Sequence, residues 1–370
     1  MSNNFEQLLR TPLFQQHVDL GAKLVPFAGW EMPVQYVGLR EEHDNVRNNV
    51  GIFDVSHMGE IFVRGPKSLE LLEWLTTNNV SKLNDGEAQY SLLPNNEGGL
   101  VDDIIIYCLK KNENYLVCVN ASNKDKDFAW MTLNNKFEGQ ATISDESSKW
   151  GQIAVQGPKA FSLLNDIFKI SFETLKPFTC FETTFKNHKC IVALTGYTGE
   201  KGAEVFIAAE GCIDFWIALL EKGKPYNVAP IGLGARDTLR TEMKYSLYGH
   251  EINDTTNPYA SGLGWVIKPE NKDFIGKSTL LSQKELGLPF ILAGFKLLDK
   301  GIPRQGYRLF TSDNREMGLV TSGTLSPTLN ESIGLGFVFK DQAKIGTEIL
   351  VDIRGRKAKA VIVKTPFVKS

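Results

Sequence analysis

The chain has 370 residues, which is too long for one compact core and long enough for two or three. Its composition, 42% apolar and 23% charged, is that of an ordinary globular protein and excludes a disordered or fibrous one. A net charge of −2 provides no overall field that would attract nucleic acid or an anionic membrane, so we expect neither as a partner.

The cysteines and the apolar segments bear on where the protein works. Five cysteines occur without any C-x-x-C pair, which favours reduced thiols and gives no support to a zinc or other metal site. The N-terminal segment lacks the pattern of a secretory signal, and no uninterrupted apolar stretch reaches about 18 residues. We therefore predict a cytoplasmic protein, and we expect a monomer because nothing in the sequence demands a dimer.

Two segments, residues 61–72 and 153–164, resemble each other. In each, a β-branched run ends at Gly-Pro, where proline can occupy the first turn of a helix, and an amphipathic helix follows. We interpret them as a duplicated strand-to-helix unit, although Gly-Pro-Lys is also a common helix opening. The duplication predicts two related αβ subdomains: residues 1–50 with 141–270 form the first, and residues 51–140 form the second.

Asp54, Ser56 and His57 have the residue types of a catalytic triad, but three residues of one short strand cannot converge as nucleophile, base and orienting group. We therefore expect His57 to be a hydrogen-bonded structural histidine. Met58 beside it could line an aromatic ligand or simply fill core space.

Residues 100–110 and 115–120 alternate in the manner of an antiparallel hairpin with a four-residue turn. Pairing across this turn would place Ile105 opposite Asn120. Because side chains alternate along a strand, Asp103 would then share a face with Asn120.

Asp102 and Asp103 are adjacent carboxylates in that hairpin, so they point to opposite faces and are poorly placed to share a proton or a metal ion. Asp103 would lie with Cys118 and Asn120, and a slip of one residue in register would exchange the two aspartates. Aspartate is disfavoured within a β-branched strand, so we expect one of the pair to face a functional site.

Glu204 occupies a strand position where an apolar residue would be expected, near Tyr197. A carboxylate there can accept two parallel N–H bonds from a pterin or guanine edge, or it could be a surface glutamate on an edge strand. Arg236 could anchor an anionic tail or a ring carbonyl, or could merely pair with Asp237 or Glu242.

The sequence pattern changes in the C-terminal part of the chain. Residues 232–245 begin with glycines and continue as a helix, without the third glycine and βαβ unit of a dinucleotide site. Residues 271–288 are a helical linker, and in residues 289–370 short β-rich runs alternate with glycine and proline. This last pattern predicts a small β-barrel.

Taken together, six motifs resemble those of the aminomethyltransferase, or T-protein, family of the glycine cleavage system. The motifs are Pro26-Phe-Ala-Gly-Trp-Glu-Met-Pro33, Gly51-Ile-Phe-Asp-Val-Ser-His-Met58, Gly98-Gly-Leu-Val-Asp-Asp103, Thr195-Gly-Tyr-Thr-Gly-Glu200, Gly232-Leu-Gly-Ala-Arg-Asp237 and Thr321-Ser-Gly-Thr-Leu-Ser-Pro-Thr328. They occur in order from about Thr11 to Phe367, which is practically the whole chain.

The resemblance implies an α+β fold: a three-domain cloverleaf, with two related αβ subdomains around a central folate site and a C-terminal β-barrel. It implies transfer of the one-carbon unit from an aminomethyl group on the lipoyl arm of H-protein to tetrahydrofolate, the co-substrate. The products would be 5,10-methylenetetrahydrofolate, ammonia and dihydrolipoyl H-protein.

The resemblance also implies roles for eight residues. Asp103 matches the family's critical carboxylate near folate N5 and N10. The others match folate-binding positions: Asn120 and Cys118 beside that carboxylate, Met58 and Tyr90 at the pterin wall, and Tyr197, Glu204 and Arg236 at the pterin end.

Two other functions stay open, the first because that relative shares the fold and the second because it has similar folate residues. One is a folate-binding factor that maintains iron–sulfur assembly, whose usual Lys-Gly-Cys-Tyr-x-Gly-Gln-Glu stretch has a cysteine that residues 244–251 lack. The other is a folate-dependent demethylase. Folate-stimulated release of ammonia from aminomethylated H-protein would separate all three.

Overall fold

The computed structural model of the protein describes residues 8–270 and 272–369. Residues 1–7, 271 and 370, which fall in the predicted first subdomain, linker and barrel, lie outside the described residues. The helices are α1 (Phe14–Asp19), α2 (Leu39–Asn48), α3 (Ser68–Leu75), α4 (Lys124–Leu133), α5 (Ala160–Phe168), α6 (Cys212–Lys222), α7 (Leu233–Glu242) and α8 (Lys277–Leu286).

The strands belong to a hairpin, two larger sheets and a barrel. They are β1 (Lys23–Phe27), β2 (Trp30–Gln35), β3 (Val50–Asp54), β4 (Gly59–Arg64), β5 (Glu87–Pro94), β6 (Leu100–Lys110), β7 (Asn114–Val119), β8 (Thr142–Asp145), β9 (Trp150–Gln156), β10 (Cys180–Phe185), β11 (His188–Ala193), β12 (Gly202–Ala208), β13 (Val228–Pro230), β14 (Phe290–Leu297), β15 (Arg308–Thr311), β16 (Glu316–Ser326), β17 (Glu331–Phe339), β18 (Glu348–Ile353) and β19 (Arg356–Val363).

The two larger sheets form the two αβ units of the chain. One has six strands in the order β10-β11-β12-β9-β3-β13, and the other has five in the order β5-β6-β7-β4-β8. The duplicated strand-to-helix unit is confirmed, because β4 is followed by α3 and β9 by α5. In both units, the alternate apolar residues of the strand face a core that includes the helix.

The C-terminal strands close into a barrel in the order β14-β17-β16-β15-β18-β19. Its interior holds apolar side chains from every strand, among them Phe295, Leu309 and Ile362. The β-barrel that the sequence predicts is therefore confirmed. The expected α+β fold class is confirmed as well.

Strand pairing corrects two details of the predicted domain boundaries. β3 was divided by the boundary at residue 51, yet it pairs with β9 in the six-stranded sheet. The predicted boundary at residue 141 places β8 in the first subdomain, yet β8 pairs with β4 in the five-stranded sheet. The chain therefore crosses between the two sheets after β3 and again after β8.

The predicted register of the β6–β7 hairpin is wrong by two residues. Ile105 pairs with Cys118, whereas the sequence placed it opposite Asn120. The cause is an irregularity between Cys108 and Lys110, which shortens the turn to pair Lys110 with Asn114. Because the error is an even number of residues, every side chain keeps its predicted face.

The two sheets face each other across an apolar layer. Phe62 and Leu116 contribute from the five-stranded sheet, and Ile191, Ala193 and Phe206 contribute from the six-stranded sheet. The helices cover the opposite face of each sheet. Polar side chains at one end of this layer are thus the ones that can form a site between the sheets. In the part of the chain that the structure describes, no helix is long and apolar enough to cross a membrane.

Candidate functional site

Asp103 lies on β6 at the end of the layer between the sheets and is held by two donors. Tyr90 Oη donates to Asp103 Oδ2 at 2.9 Å, and Asn120 Nδ2 donates to Asp103 Oδ1 at 2.9 Å. Burial and the negative charge of Asp102 raise the pKa of Asp103 to about 7, while the two hydrogen bonds oppose this rise. Asp103 therefore changes charge near neutral pH.

Asp102 points to the opposite face of β6 and is fully buried, as strand alternation predicts. Its carboxylate accepts hydrogen bonds from the backbone N–H and the Nδ2 of Asn120, each at 2.9 Å, and from Asn123 Nδ2 at 2.7 Å. Asn120 thus joins the two aspartates, because it lies one residue beyond the end of β7, where its amide can reach both faces.

Tyr90 connects Asp103 with the surface. Its ring stacks on the indole of Trp265, with 5.9 Å between the ring centroids and 20° between the planes. Trp265 is 60% exposed, an unusual exposure for the largest apolar side chain. The two rings form an aromatic wall that extends from the half-buried carboxylate of Asp103 to solvent.

Glu204 lies on β12, between β11 and β9, and is 8% exposed. The alternative of a surface glutamate on an edge strand is therefore wrong. Gln152 Nε2 donates to Glu204 Oε1 at 3.1 Å, and Thr195 Oγ1 donates to Oε2 at 2.5 Å. Burial raises the pKa of Glu204. The hydrogen bond from Thr195, the positive charge of Arg236 and the hydrogen bond from Gln152 oppose this rise. Each oxygen keeps a lone pair for a further donor.

Arg236 lies in the first turn of α7, with its guanidinium 4.8 Å from the centre of the Tyr197 ring. The alternative pairing with Asp237 or Glu242 is wrong, because Asp237 accepts from Arg240 and Glu242 is engaged elsewhere. Among the described residues, no hydrogen bond or ion pair reaches the Arg236 guanidinium.

Tyr197 and the remaining predicted positions surround the same end of the layer. Tyr197 donates its hydroxyl to the carbonyl of Ser246. The Cys118 thiol donates weakly to Gln152 Oε1 at 3.7 Å, and burial raises the thiol pKa well above its usual value. Met58 is half-buried and packs against the layer between the sheets and against the neighbouring core, so it can fill core space and line a site at once.

His57 takes no part in a triad, as the sequence predicts. The partners of Asp54 are instead His17 Nε2 at 2.8 Å and Thr11 Oγ1 at 2.6 Å. The expectation that His57 is hydrogen-bonded is wrong: among the described residues no hydrogen bond reaches its ring, and its buried Nδ1 has no partner. Burial, together with the charge of Arg236, lowers the pKa of His57 to about 4, so the imidazole is neutral.

Four residues near the site were not singled out from the sequence: Gln152, Thr195, Trp265 and Asp127. Gln152 had a signal, since it interrupts an apolar strand in the way that Glu204 does. Trp265 follows Gly262-Leu-Gly264 and lies in a short 3-10 helix, where an exposed tryptophan has no structural need. Asp127 lies in an ordinary helical sequence, and no sequence signal separates it from a solvated acid.

The site is therefore assembled from both sheets and α7. Asp103, Tyr90, Cys118 and Asn120 come from the five-stranded sheet and its adjoining loop. Glu204 comes from the six-stranded sheet. The charge of Arg236 acts on the pKa of Glu204, Tyr197, Cys118 and His57, and its guanidinium lies over the Tyr197 ring.

Comparison with known proteins gives matches over nearly the whole chain. Residues 13–271 match the model of the GCVT N-terminal domain, and residues 291–369 match the glycine cleavage T-protein C-terminal barrel domain. An aminomethyltransferase from Bdellovibrio bacteriovorus is 67% identical and covers 97% of this chain and 99% of its own length. An aminomethyltransferase from Halothermothrix orenii is 44% identical, with the same coverage.

The fold gives the same assignment. The crystal structure of glycine cleavage system aminomethyltransferase T from Bartonella henselae superposes with a TM-score of 0.92 at 31% identity. It covers 98% of this chain and 99% of its own. These matches support the aminomethyltransferase interpretation and not the iron–sulfur maintenance or demethylase alternatives. The chain belongs to the aminomethyltransferase, or T-protein, family of the glycine cleavage system.

Proposed function

We propose that this chain transfers the one-carbon unit of an aminomethyl group, carried on the lipoyl arm of H-protein, to tetrahydrofolate, and that Asp103 is its catalytic carboxylate. The activity and the co-substrate follow from the family, which works with H-protein and folate. The position of Asp103 supports its role, because Tyr90 and Asn120 hold its carboxylate at the end of the layer between the sheets.

The described residues fit a reduced pteridine. Glu204 is a buried carboxylate with spare lone pairs, which suits the N–H groups of an aminopyrimidine edge. The Arg236 guanidinium and the His57 Nδ1 atom are polar groups without a partner in the described chain, so both can bond to a ligand. Met58, Tyr90 and Cys118 would provide apolar walls between these polar groups.

The role of Asp103 follows from charge. When bound, tetrahydrofolate supplies the nitrogen that accepts the carbon. As the bond from that carbon to its donor weakens, positive charge develops, and a fixed carboxylate in a water-poor site stabilises positive charge far better than solvent does. Asn120 and Tyr90 hold the carboxylate in one orientation, so no reorganisation is needed during the reaction.

Exchanging Asp103 for asparagine tests this assignment. Asp103→Asn keeps the size of the side chain and removes its charge, so tetrahydrofolate should bind with nearly the same dissociation constant. Release of ammonia from aminomethylated H-protein should fall roughly 100- to 1,000-fold. The matched control is Asp214→Asn, which removes a surface carboxylate paired with Lys186. Unchanged ammonia release by Asp103→Asn would refute the role.

We also propose that the chain is a monomer in the cytoplasm. The five cysteines are free and buried, which is consistent with a reducing compartment. Light scattering at several concentrations checks the monomer, since a dimer would double the measured mass. Fractionation of the producing cells checks the compartment.

A further inference from the structure

Behind the proposed catalytic carboxylate lies a third aspartate that the activity described above does not use. Asp127 projects from the first turn of α4 and is fully buried. Among the described residues, no donor reaches either of its carboxyl oxygens. A buried ionised carboxylate without any donor is strongly unfavourable, so the group needs either a cation or a proton.

Helix α4 packs against β6, and Asp102 on β6 is the residue that acts most strongly on the pKa of Asp127. Two carboxyl groups can bond to each other only if one of them carries a proton. Asp102 accepts three N–H bonds, two from Asn120 and one from Asn123, and these favour its anionic form. Asp127 accepts none, so the proton belongs on Asp127.

We propose that Asp127 is a permanently protonated carboxylic acid that donates its proton in a hydrogen bond to Asp102, and so fixes a negative charge directly behind Asp103. This inference rests on the proposed role of Asp103 and deepens it. Asp127 is a positioning residue, because it reaches the reacting atoms only through Asp102.

The surroundings agree with this assignment. Burial, with the charge and hydrogen bond of Asp102 next, raises the pKa of Asp127 to about 11. The neighbouring cation Lys126 lowers the pKa of Asp127 only in part. Its Nζ donates instead to Tyr248 Oη at 2.7 Å and to Asp254 Oδ1 at 3.3 Å. Burial raises the pKa of Asp102. Interactions with the side chains of Asp127, Asn120 and Asn123 oppose this rise, and the largest of them is that with Asp127.

Four groups therefore set the charge around Asp127. Asp102 acts on Asp127 from the near face of β6, and the charge of Asp103 acts from the opposite face of that strand. Lys126 accompanies Asp127 on α4, and Tyr248 lies in the loop after α7. The consequence for the site is specific. Burial first, and the fixed charge on Asp102 second, raise the pKa of Asp103 to about 7, where it can both hold and release a proton.

Two variants separate this role from a merely structural one. Asp127→Asn keeps a donor toward Asp102 and cannot ionise, whereas Asp127→Leu has a similar volume and no donor. In Asp127→Leu, Asp102 loses a donor and takes up a proton, so Asp103 loses its charged neighbour and its own pKa falls. The acid limb of the pH–rate profile should move to lower pH, by on the order of one unit. Asp127→Asn should keep the wild-type profile.

A direct measurement does not depend on folate or on activity. The infrared carbonyl band of a protonated carboxyl, recorded at pH 8, should be present in the wild-type protein and reduced in Asp127→Asn. Comparison between variants is needed because the Glu60 carboxyl is also buried, has no partner among the described residues, and has a raised pKa. If the band is the same in both proteins, Asp127 is ionised and the proposal is overturned.

The outcomes of the two experiments are distinguishable. Equal shifts of the pH profile in Asp127→Asn and Asp127→Leu, or no shift in either, would overturn the donor role. If Asp103→Asn retains full turnover while the infrared band behaves as expected, the proposed function fails and the protonation of Asp127 stands. If Asp127→Leu does not fold, the infrared comparison with Asp127→Asn still decides.

Discussion

The phenol of Tyr90, on β5, donates its hydrogen to Asp103 on the neighbouring strand β6, with 2.9 Å between the oxygens. Leu92 is the residue directly opposite Asp103 in the register, so the Tyr90 side chain reaches its partner diagonally along the same face. Burial and the nearby carboxylate raise the pKa of Tyr90 well above its usual value, so the hydroxyl remains a donor at every working pH.

This relationship predicts the effect of Tyr90→Phe. The hydrogen bond stabilises the charged form of Asp103, so its removal should raise the pKa of Asp103 above about 7. Turnover should fall at pH 7 and recover at higher pH, and the acid limb of the pH–rate profile should move upward by roughly one unit. The measurement is ammonia release from aminomethylated H-protein between pH 6 and pH 9.

The matched control for Tyr90→Phe is Tyr226→Phe. It removes a surface phenol that donates to Asp166, and its profile should be that of the wild-type protein. The expectation for Tyr90 is opposite in direction to that for Asp127→Leu, so one series of profiles examines both. A profile of Tyr90→Phe that falls uniformly without moving would mean that Tyr90 does not act through the charge of Asp103.

Glu204→Gln should mainly weaken the binding of tetrahydrofolate. The carboxylate offers acceptors to both N–H groups of a pterin edge, whereas the amide presents one acceptor and one donor. Loss of a charge-assisted hydrogen bond costs about 1.5 to 3 kcal/mol, which corresponds to a roughly 10- to 150-fold higher dissociation constant. Calorimetric titration of tetrahydrofolate measures it, with Glu182→Gln on an exposed position of β10 as the control.

The rate at saturating tetrahydrofolate should change less than the affinity in Glu204→Gln, because Glu204 lies on the other sheet from Asp103. An unaltered dissociation constant would count against pterin recognition by Glu204. A loss of turnover without loss of affinity would instead place Glu204 at the reacting atoms.

Much of this architecture could be predicted from local sequence. The duplicated strand-to-helix units, the hairpin and the barrel depend on periodicity and on Gly-Pro punctuation, which are local properties. The register of β6 with β7 could not be predicted, because the irregularity beside Cys108 has no sequence mark. The membership of β3 and β8 depends on long-range pairing, which periodicity does not report.

The site shows the same division. Asp103 and Glu204 could be found because a carboxylate interrupts an apolar strand at each position. The free guanidinium of Arg236 could not be predicted, because its nearby acids might have paired with it, and only the structure shows Arg240 and Arg47 taking those partners. Asp127 could not be found either, because its burial comes from packing between α4 and β6.

Glu242 joins the barrel to the first αβ unit and gives a prediction about stability. At the end of α7, its carboxylate accepts from Arg47 Nη2 at 2.7 Å on α2 and from Thr328 Oγ1 at 2.9 Å beyond β16. Ser326 donates to it as well, and His43 Nε2 lies 3.3 Å away. Although burial opposes ionisation, these partners, His43 first, lower the pKa of Glu242 to about 2.

The lowered pKa fixes the sign of the pH dependence. A carboxylate whose pKa is lower in the folded protein than its usual 4.5 contributes stability above pH 4.5, and loses that contribution as the pH falls toward 2. The contribution at neutral pH is about 3 kcal/mol, because the pKa falls from 4.5 to about 2. Glu242→Gln should therefore lower the free energy of unfolding at pH 7, and the deficit should shrink steadily between pH 4.5 and pH 2.

Denaturant unfolding of the wild-type protein and Glu242→Gln at pH 7, 4 and 3 measures this deficit. Glu348→Gln, on an exposed barrel position, is the matched control and should leave unfolding unchanged. Because the barrel and the αβ units can unfold separately, a second probe should follow the tryptophans, none of which lies in the barrel strands. A deficit of the same size at every pH would mean that shape, and not the charge of Glu242, holds the barrel in place.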